Sequence, residues 1–433
     1  MESVWKLLIF PILLVSRLNC MFQEKLNVSK VLLSASGDMD QTFFAQVTDN
    51  KSYLHVWHSD TRRLVVTSDN PLQTLSIMEA TRLDQFVLHP NMHLEELLLR
   101  YCPLDGLVKS LQNLQALRVL KHEICRFNGS FNLAELLALR NLTTFSLADN
   151  RLTEVILQPD EAFEETEPAS VLELLDLSGN VIEYFNLNVL RAFPVLKYLI
   201  LPRNKLVTLA GSIFLRTLKM IDIKQNLLTE LDLSGCNCSS LVCVYASNNN
   251  LNTFPLFGES IADLQVLDLN DNQLATFNVT ELKKQQHLTT LMMAKNLLKS
   301  FNVDNGNASL VELPSLTMLE LSNNQIESLD LRGWQLPSLA TLRVINKSLV
   351  SISYDLLERF PKLTRLSCFC PNVDCEWKQR YVQHIRSGRL EMSVAWQGSM
   401  QIEKGYRCIT VPYVGCVKCP FRRKESELKT TVS

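Results

Sequence analysis

The sequence predicts an α/β solenoid: a curved horseshoe of about 13 repeats, with a parallel β-sheet on its concave face, an N-terminal hairpin cap and a disulfide-rich C-terminal cap. Two observations carry the repeats. A leucine pattern recurs at a mean spacing of about 24 residues, and the 433-residue chain is 46% hydrophobic with only 13 Gly, enough to bury a long core. A third carries the caps: the leucine pattern fails at both ends, and cysteines gather behind its last copy. The formal net charge of −2 gives no global field for a polyanion, so nucleic acid is not an expected partner.

Residues 1–20 run from Met1 to Lys6 through the apolar Leu7 to Val15 and end in Ser16-Arg17-Leu18-Asn19-Cys20. This reads as a secretory signal peptide, its apolar core too short to span a bilayer. Asn-x-Ser/Thr sequons at Asn27, Asn128, Asn141, Asn237, Asn278, Asn307 and Asn346 agree with a secreted, extracellular glycoprotein. Residues 21–71 form the expected N-terminal cap. They lack the repeat, and apolar alternation from Tyr53 to Val66 predicts a hairpin over the open end of the first repeat.

Across residues 72–366 the pattern L-x-x-L-x-L-x-x-N-x-L recurs, which defines leucine-rich repeats. The clearest copies begin at Leu142, Leu172, Leu196, Leu264 and Leu316, and copies at Leu218, Leu241 and Leu288 fit as well. In weaker copies at Leu94 and Leu117 the Asn position holds Cys102 and Cys125, and in the copy at Leu339 it holds Lys347. Each L-x-L places two side chains inward on a short strand, and strands of successive repeats stack in parallel at ~4.8 Å. The Asn turns the chain out of the strand, and its amide serves backbone groups of neighbouring turns. Cys102 and Cys125 are read as free-thiol members of that series in preference to a disulfide between adjacent coils. The acidic run Asp160 to Glu167 reads as a solvated bulge on the convex side.

Residues 367–420 contain Cys368, Cys370, Cys375, Cys408, Cys416 and Cys419 and a short helical stretch to about Arg386. They read as a disulfide-stapled cap over the apolar core that a last repeat exposes. Residues 421–433 are a polar tail with no membrane span or lipid-anchor signal. The chain has 12 Cys, and cleavage after Cys20 leaves an odd number, hence a free thiol or a bond to another chain, whereas cleavage after Ser16 leaves an even one. Cys236, Cys238 and Cys243 cluster where one repeat passes into the next. A bond from Cys236 or Cys238 to Cys243 is expected, the odd sulfur or one of the cap cysteines being the candidate for a link to a partner chain.

The 7 His converge on no nucleophile or metal arrangement, and no P-loop, dinucleotide, zincin or G-x-S-x-G motif occurs, so no enzyme, cofactor or metal is expected. Surface remains. Residues flanking each L-x-L pair point onto the concave wall. The candidate partner-binding set is Asp176, Tyr198, Ile200, Met220, Asp222, Tyr245, Val266, Asp268, Met292, Met318 and Glu320. This wall is apolar and aromatic, crossed by four carboxylates, and no sequon falls at an outward strand position, Asn346 coming nearest.

A signal peptide, repeats near 24 residues, Leu233-Ser-Gly-Cys-Asn-Cys with the following Val242-Cys-Val-Tyr-Ala-Ser-Asn-Asn249, and the Cys-rich segment from Cys368 to Trp377 together resemble the mosquito leucine-rich-repeat immune proteins. The resemblance implies a haemolymph factor of innate immunity that engages a protein, such as a complement-like thioester protein, or a pathogen surface. Long members pair through a C-terminal coiled coil. Here no heptads are sustained after Trp377, so the chain resembles a coil-less member, and a disulfide-linked or non-covalent dimer stays open. The alternative is an extracellular adhesion, matrix or developmental-signalling leucine-rich-repeat module.

Overall fold

A computed structural model of the chain describes residues 30–35, 37–48, 52–158, 170–303, 310–368, 377, 383–384, 387–393, 406–411 and 415–420. The fold is a parallel β-solenoid of about 13 turns with little helix. It divides into two compact units, Met1–Asn250 with Pro255–Val266, and Leu251–Phe254 with Leu267–Ser433.

In the first unit the strands Lys30–Ala35, Tyr53–Ser59, Thr74–Met78, Glu96–Arg100, Val119–Glu123, Thr144–Ser146, Leu174–Asp176, Tyr198–Ile200, Met220–Asp222 and Cys243–Tyr245 each pair in parallel with the next. In the second the same stacking joins Thr290–Met292, Met318–Glu320, Thr341–Arg343, Arg365–Ser367 and Glu391–Ser393. One residue per turn recurs in register as the inward knob. Leu75, Leu97, Leu120, Phe145, Leu175, Leu199, Ile221 and Val244 stack in the first unit, and Leu291, Leu319, Leu342 and Leu366 in the second, all fully buried. Burial of each such side chain stabilises the fold by about 1.5–3 kcal/mol, but only when a neighbouring turn covers it.

The segment Tyr53 to Val66 is not the hairpin its alternation predicts. Tyr53–Ser59 pairs in parallel with strands on both sides, while Arg63–Val66 pairs in parallel with Gln85–Leu88 in a separate two-stranded sheet. The linking Asp60-Thr61-Arg62 has no glycine for a tight reversal. Thr61 is buried instead, its N–H donating to Ser59 Oγ and its hydroxyl to the Arg63 carbonyl, and it turns a solenoid corner. Parallel stacking therefore runs through residues 30–59, ahead of the first recognisable leucine copy.

After eleven of the strands one residue takes the left-handed conformation: Glu79, Tyr101, Ile124, Asp149, Gly179, Arg203, Gln225 and Asn248 in the first unit, and Asp271, Lys295 and Asn323 in the second, all at φ between 52° and 65°. Glycine is required at only one of them. A Cβ on Gly179 would collide with the Asp149 side chain, and over that gap Arg203 Nη2 reaches Asp149 Oδ1 at 3.0 Å.

Near the C-terminus, Tyr406–Val411 and Gly415–Pro420 form an antiparallel pair that carries Cys408, Cys416 and Cys419. Cys368 is buried and disulfide-bonded. Cys20, Cys370, Cys375, Asn27, Asn307, the acidic run and most of the expected short helix lie outside the described residues.

Candidate functional site

The open face of the strands is set by the corner that follows each of them. In the first unit Asn150, Asn180, Asn204, Asn226 and Asn249 are buried at that corner. Asn226 shows the pattern. Its Nδ2 donates to the carbonyls of Ile223 and Lys224 in its own turn, at 2.9 and 3.2 Å, and of Leu201 in the preceding turn, at 3.1 Å. Its Oδ1 accepts from Leu206 N–H at 3.0 Å. In the second unit Asn296 and Asn324 repeat the arrangement.

This arrangement takes a carbonyl away from the strand ladder. Regular parallel pairing continued past Asp222 would give the Lys224 N–H to the Leu201 carbonyl, which Asn226 occupies. The displaced N–H goes to Asp222 Oδ1 at 3.2 Å. The same substitution recurs: Ala148 N–H donates to Ser146 Oγ, Ser178 N–H to Asp176 Oδ1, Asn270 N–H to Asp268 Oδ1 and Ser322 N–H to Glu320 Oε1. Two turns borrow an acceptor from the turn before, Ala294 N–H from Asn270 Oδ1 and Ile345 N–H from Ser322 Oγ. Where the residue between the inward pair is Ile200, the position two further on is Pro202, which has no N–H to serve.

The four carboxylates expected on the binding wall are thus caps of the solenoid corner. Asp222, Asp268 and Glu320 are buried, and Asp176 is half-buried. Burial pushes the Asp176 and Asp222 carboxyls up from the usual range, opposed at Asp222 by Lys224, whose Nζ lies 3.1 Å from Oδ2. Arg343 pairs with Glu320 at 3.2 Å. The expectation of exposed apolar anchors is corrected as well. Ile200, Met220, Tyr245, Val266 and Met318 are buried, because three-residue strands bring flanking side chains into lateral contact with those of adjacent turns. Tyr198 and Met292 keep partial exposure. In register with Tyr198 stand Leu174 on one side and Met220 then Cys243 on the other. Leu98 and Lys121 extend the partly exposed surface in the earlier turns.

Sequence reasoning missed the capping roles of Ser146, Asn270 and Ser322 and the role of Asn346. The signal for the first group is a short polar side chain two residues before an otherwise unserved N–H. Asn346 was expected to carry a glycan. It is fully buried, its Oδ1 accepting from Asn324 N–H at 2.7 Å and its Nδ2 donating to the Leu321 carbonyl at 3.3 Å. It does the work of the consensus Asn one residue early, where the pattern places Lys347, and a glycan there is incompatible with this corner. Of the other sequons described, Asn128 and Asn237 lie on separate two-stranded sheets, Asn278 caps the helix Val279–Lys283, and Asn141 donates to the Gln115 carbonyl.

Cysteine pairing also differs from expectation. Cys236 is bonded to Cys238, and Cys243 is a free, half-buried thiol on the strand face. Sulfurs two residues apart on a corner meet before either reaches the next turn. Cys102 and Cys125 are free thiols. Cys125 Sγ donates to the Glu123 carbonyl at 3.4 Å and, at 3.9 Å, to that of Leu99 in the turn before, a weak imitation of the asparagine amide.

No family model matches the chain. In sequence it is 35% identical over 128 residues to the platelet glycoprotein Ib alpha chain of Mus musculus, covering 30% of this chain and 16% of that one. It is 31% identical over 165 residues to the transforming growth factor beta activator LRRC33 of Danio rerio, covering 36% and 24%. The chain thus spans a quarter or less of the length of these curated relatives. Among solved structures it resembles an APL1 leucine-rich-repeat domain, with a TM-score of 0.54, 15% identity, and coverage of 89% of this chain and 97% of that one. A leucine-rich-repeat protein of Leptospira interrogans gives a TM-score of 0.51 and 19% identity, covering 82% and 99%. At these identities the structural likeness shows the fold alone. The chain has the leucine-rich-repeat fold. Among the described residues no helix is long and apolar enough to cross a membrane.

Proposed function

We propose that this chain is a secreted, non-enzymatic recognition protein that binds another protein through the open face of its strands, in the setting of innate immunity that its sequence resemblance implies. The observation that carries the reading is the row Leu174, Tyr198, Met220 and Cys243, four in-register side chains with no intervening charge, three of them partly exposed. A half-exposed tyrosine within apolar neighbours is a typical anchor of a protein interface. The sequons described in this unit, Asn128, Asn141 and Asn237, lie away from the row, which supports its being open to a partner. Leucine-rich-repeat proteins of the same fold occur in protein complexes, among them one containing Latrophilin 3, Unc5D and the repeats of FLRT2, with a TM-score of 0.52 and 17% identity, covering 70% of this chain and 90% of that one.

Because the carboxylates serve the fold, charge reversal at Asp222 would report unfolding as well as binding. A photo-crosslinking side chain at position 198, with a second at the exposed Phe214 on a separate two-stranded sheet as control, avoids that confusion. Irradiation in the native extracellular fluid is expected to give a discrete protein adduct from position 198 and none from position 214. An adduct from position 214 alone, or from neither, contradicts the reading.

A further inference from the structure

We propose that Cys102 and Cys125 form a redox site, a pair of thiols on adjacent turns that closes into a disulfide by exchange with a small external disulfide of the glutathione class. The pairing of Glu96–Arg100 with Val119–Glu123 runs in register to Arg100 and Glu123, and each cysteine stands two residues beyond. Each follows a residue in the same left-handed conformation, Tyr101 at φ 53° and Ile124 at φ 52°, so the two corners superpose. Their Cα atoms then keep the ~4.8 Å spacing of paired strands, inside the ~4.4–6.8 Å range that a disulfide spans. The register sets the two side chains side by side, close enough for each thiol to influence the ionisation of the other. At the later corners the asparagine amide fills this place, and no such chemistry exists.

The two thiols divide the reaction. Cys102 is buried, whereas Cys125 is partly exposed. Its interaction with Cys125, together with burial, pushes the Cys102 thiol up, and the same interaction holds the Cys125 thiol below its ordinary value. Cys125 as thiolate attacks one sulfur of glutathione disulfide, whose S–S bond breaks to release one glutathione thiolate. Cys102 then loses its proton and attacks Cys125 Sγ, forming the protein disulfide and expelling the second glutathione thiolate, and both leaving groups end as thiols. Two protein thiols are oxidised and one glutathione disulfide is reduced. The closed form gives up weak thiol bonds to the carbonyls of Arg100, Glu123 and Leu99, at 3.5, 3.4 and 3.9 Å.

The test equilibrates the full chain, reduced first, in glutathione buffers from fully reduced to fully oxidised, then blocks remaining thiols and maps tryptic peptides. Cleavage after Arg100, Lys109, Lys121 and Arg126 puts the two cysteines on separate peptides, 101–109 and 122–126. The linked pair is expected to appear as the buffer is oxidised and to vanish in excess reduced glutathione, both thiols leaving the alkylatable pool together while Cys243 does not pair. Cys102→Ser is expected to trap glutathione on Cys125, and Cys125→Ser to leave Cys102 unmodified. Recovery of both cysteines alkylated across the whole series, or a glutathione adduct on Cys125 that never closes in the unsubstituted protein, overturns the proposal. If either serine variant loses its circular dichroism spectrum, the unsubstituted protein alone decides.

Discussion

The turns at Ala80, Cys102 and Cys125 and those at Asn150 through Asn249 make the same left-handed corner in one unit with different chemistry. In the earlier turns the strands are five residues long or more and pairing runs on to Met78, Arg100 and Glu123. The corner residue is then small and asks little of the backbone. In the later turns the strands shorten to three residues. The asparagine takes the carbonyl that the ladder would have used, and a side chain from the strand itself serves the displaced N–H. Polar residues that look like ligand contacts on the later strands are therefore committed to the fold, and the earlier strands are free of that demand. The turn at Val119–Glu123 lies between the two kinds, with His122 in an inward leucine position opposite Leu99.

The difference predicts unequal sensitivity. The largest effect is expected at a ladder asparagine. Asn226→Leu removes three donated bonds to carbonyls and leaves the Leu206 N–H without its acceptor, a loss of about 3 kcal/mol in urea unfolding, whereas Cys102→Ala should lose about 1 kcal/mol or less. Equal losses would erase the distinction between the two regions.

Next comes His122, fully buried with neither ring nitrogen hydrogen-bonded among the described residues. Burial pushes its pKa down to about 3. Its folded-state value lies below the ordinary 6.5, so the folded protein binds fewer protons than the unfolded chain between those values. The stability His122 contributes is whole above pH 6.5 and is lost as pH falls toward 3, by up to about 1.4 kcal/mol per unit. His122→Leu should raise stability at pH 7 by about 1–3 kcal/mol and flatten the pH dependence of the unfolding midpoint between pH 6.5 and 4.5. An unchanged slope would show that this histidine is not the acid-sensitive element of the early turns.

The smallest expected effects separate a cap from a charge. Asp222→Asn keeps the acceptor for Lys224 N–H and should change stability by no more than about 0.5 kcal/mol, whereas Asp222→Leu should lose about 1–2 kcal/mol. If Asn is as damaging as Leu, the ion pair with Lys224 is the important contact.

Repeats and inward leucines were legible in the sequence because one period fixes both, each copy placing the same knob in the same slot. The corner asparagines were legible for the same reason. The first turns were not, because Tyr53 to Ser59 carries β-branched and aromatic alternation without the leucine motif, and parallel and antiparallel strands alternate alike. Of the proposed binding face, the sequence carries side-chain direction but not exposure. Side-chain direction follows from strand geometry, which sets Asp222 and Tyr245 in register on one face of the strands. Exposure depends on neighbours in adjacent turns and on which backbone groups lack a partner, and no single repeat states either. Asn346 was misread because the asparagine had shifted by one residue into a sequon.

The most direct test is a double-mutant cycle on one corner, with unfolding free energies measured for the unsubstituted chain, Asp222→Leu, Asn226→Leu and the double variant. If Asp222 is needed because Asn226 holds the Leu201 carbonyl, removing Asn226 returns that carbonyl to Lys224 N–H. Asp222→Leu should then cost at least about 1 kcal/mol less in the Asn226→Leu background. Losses that add to within about 0.5 kcal/mol would contradict the coupling of cap and ladder.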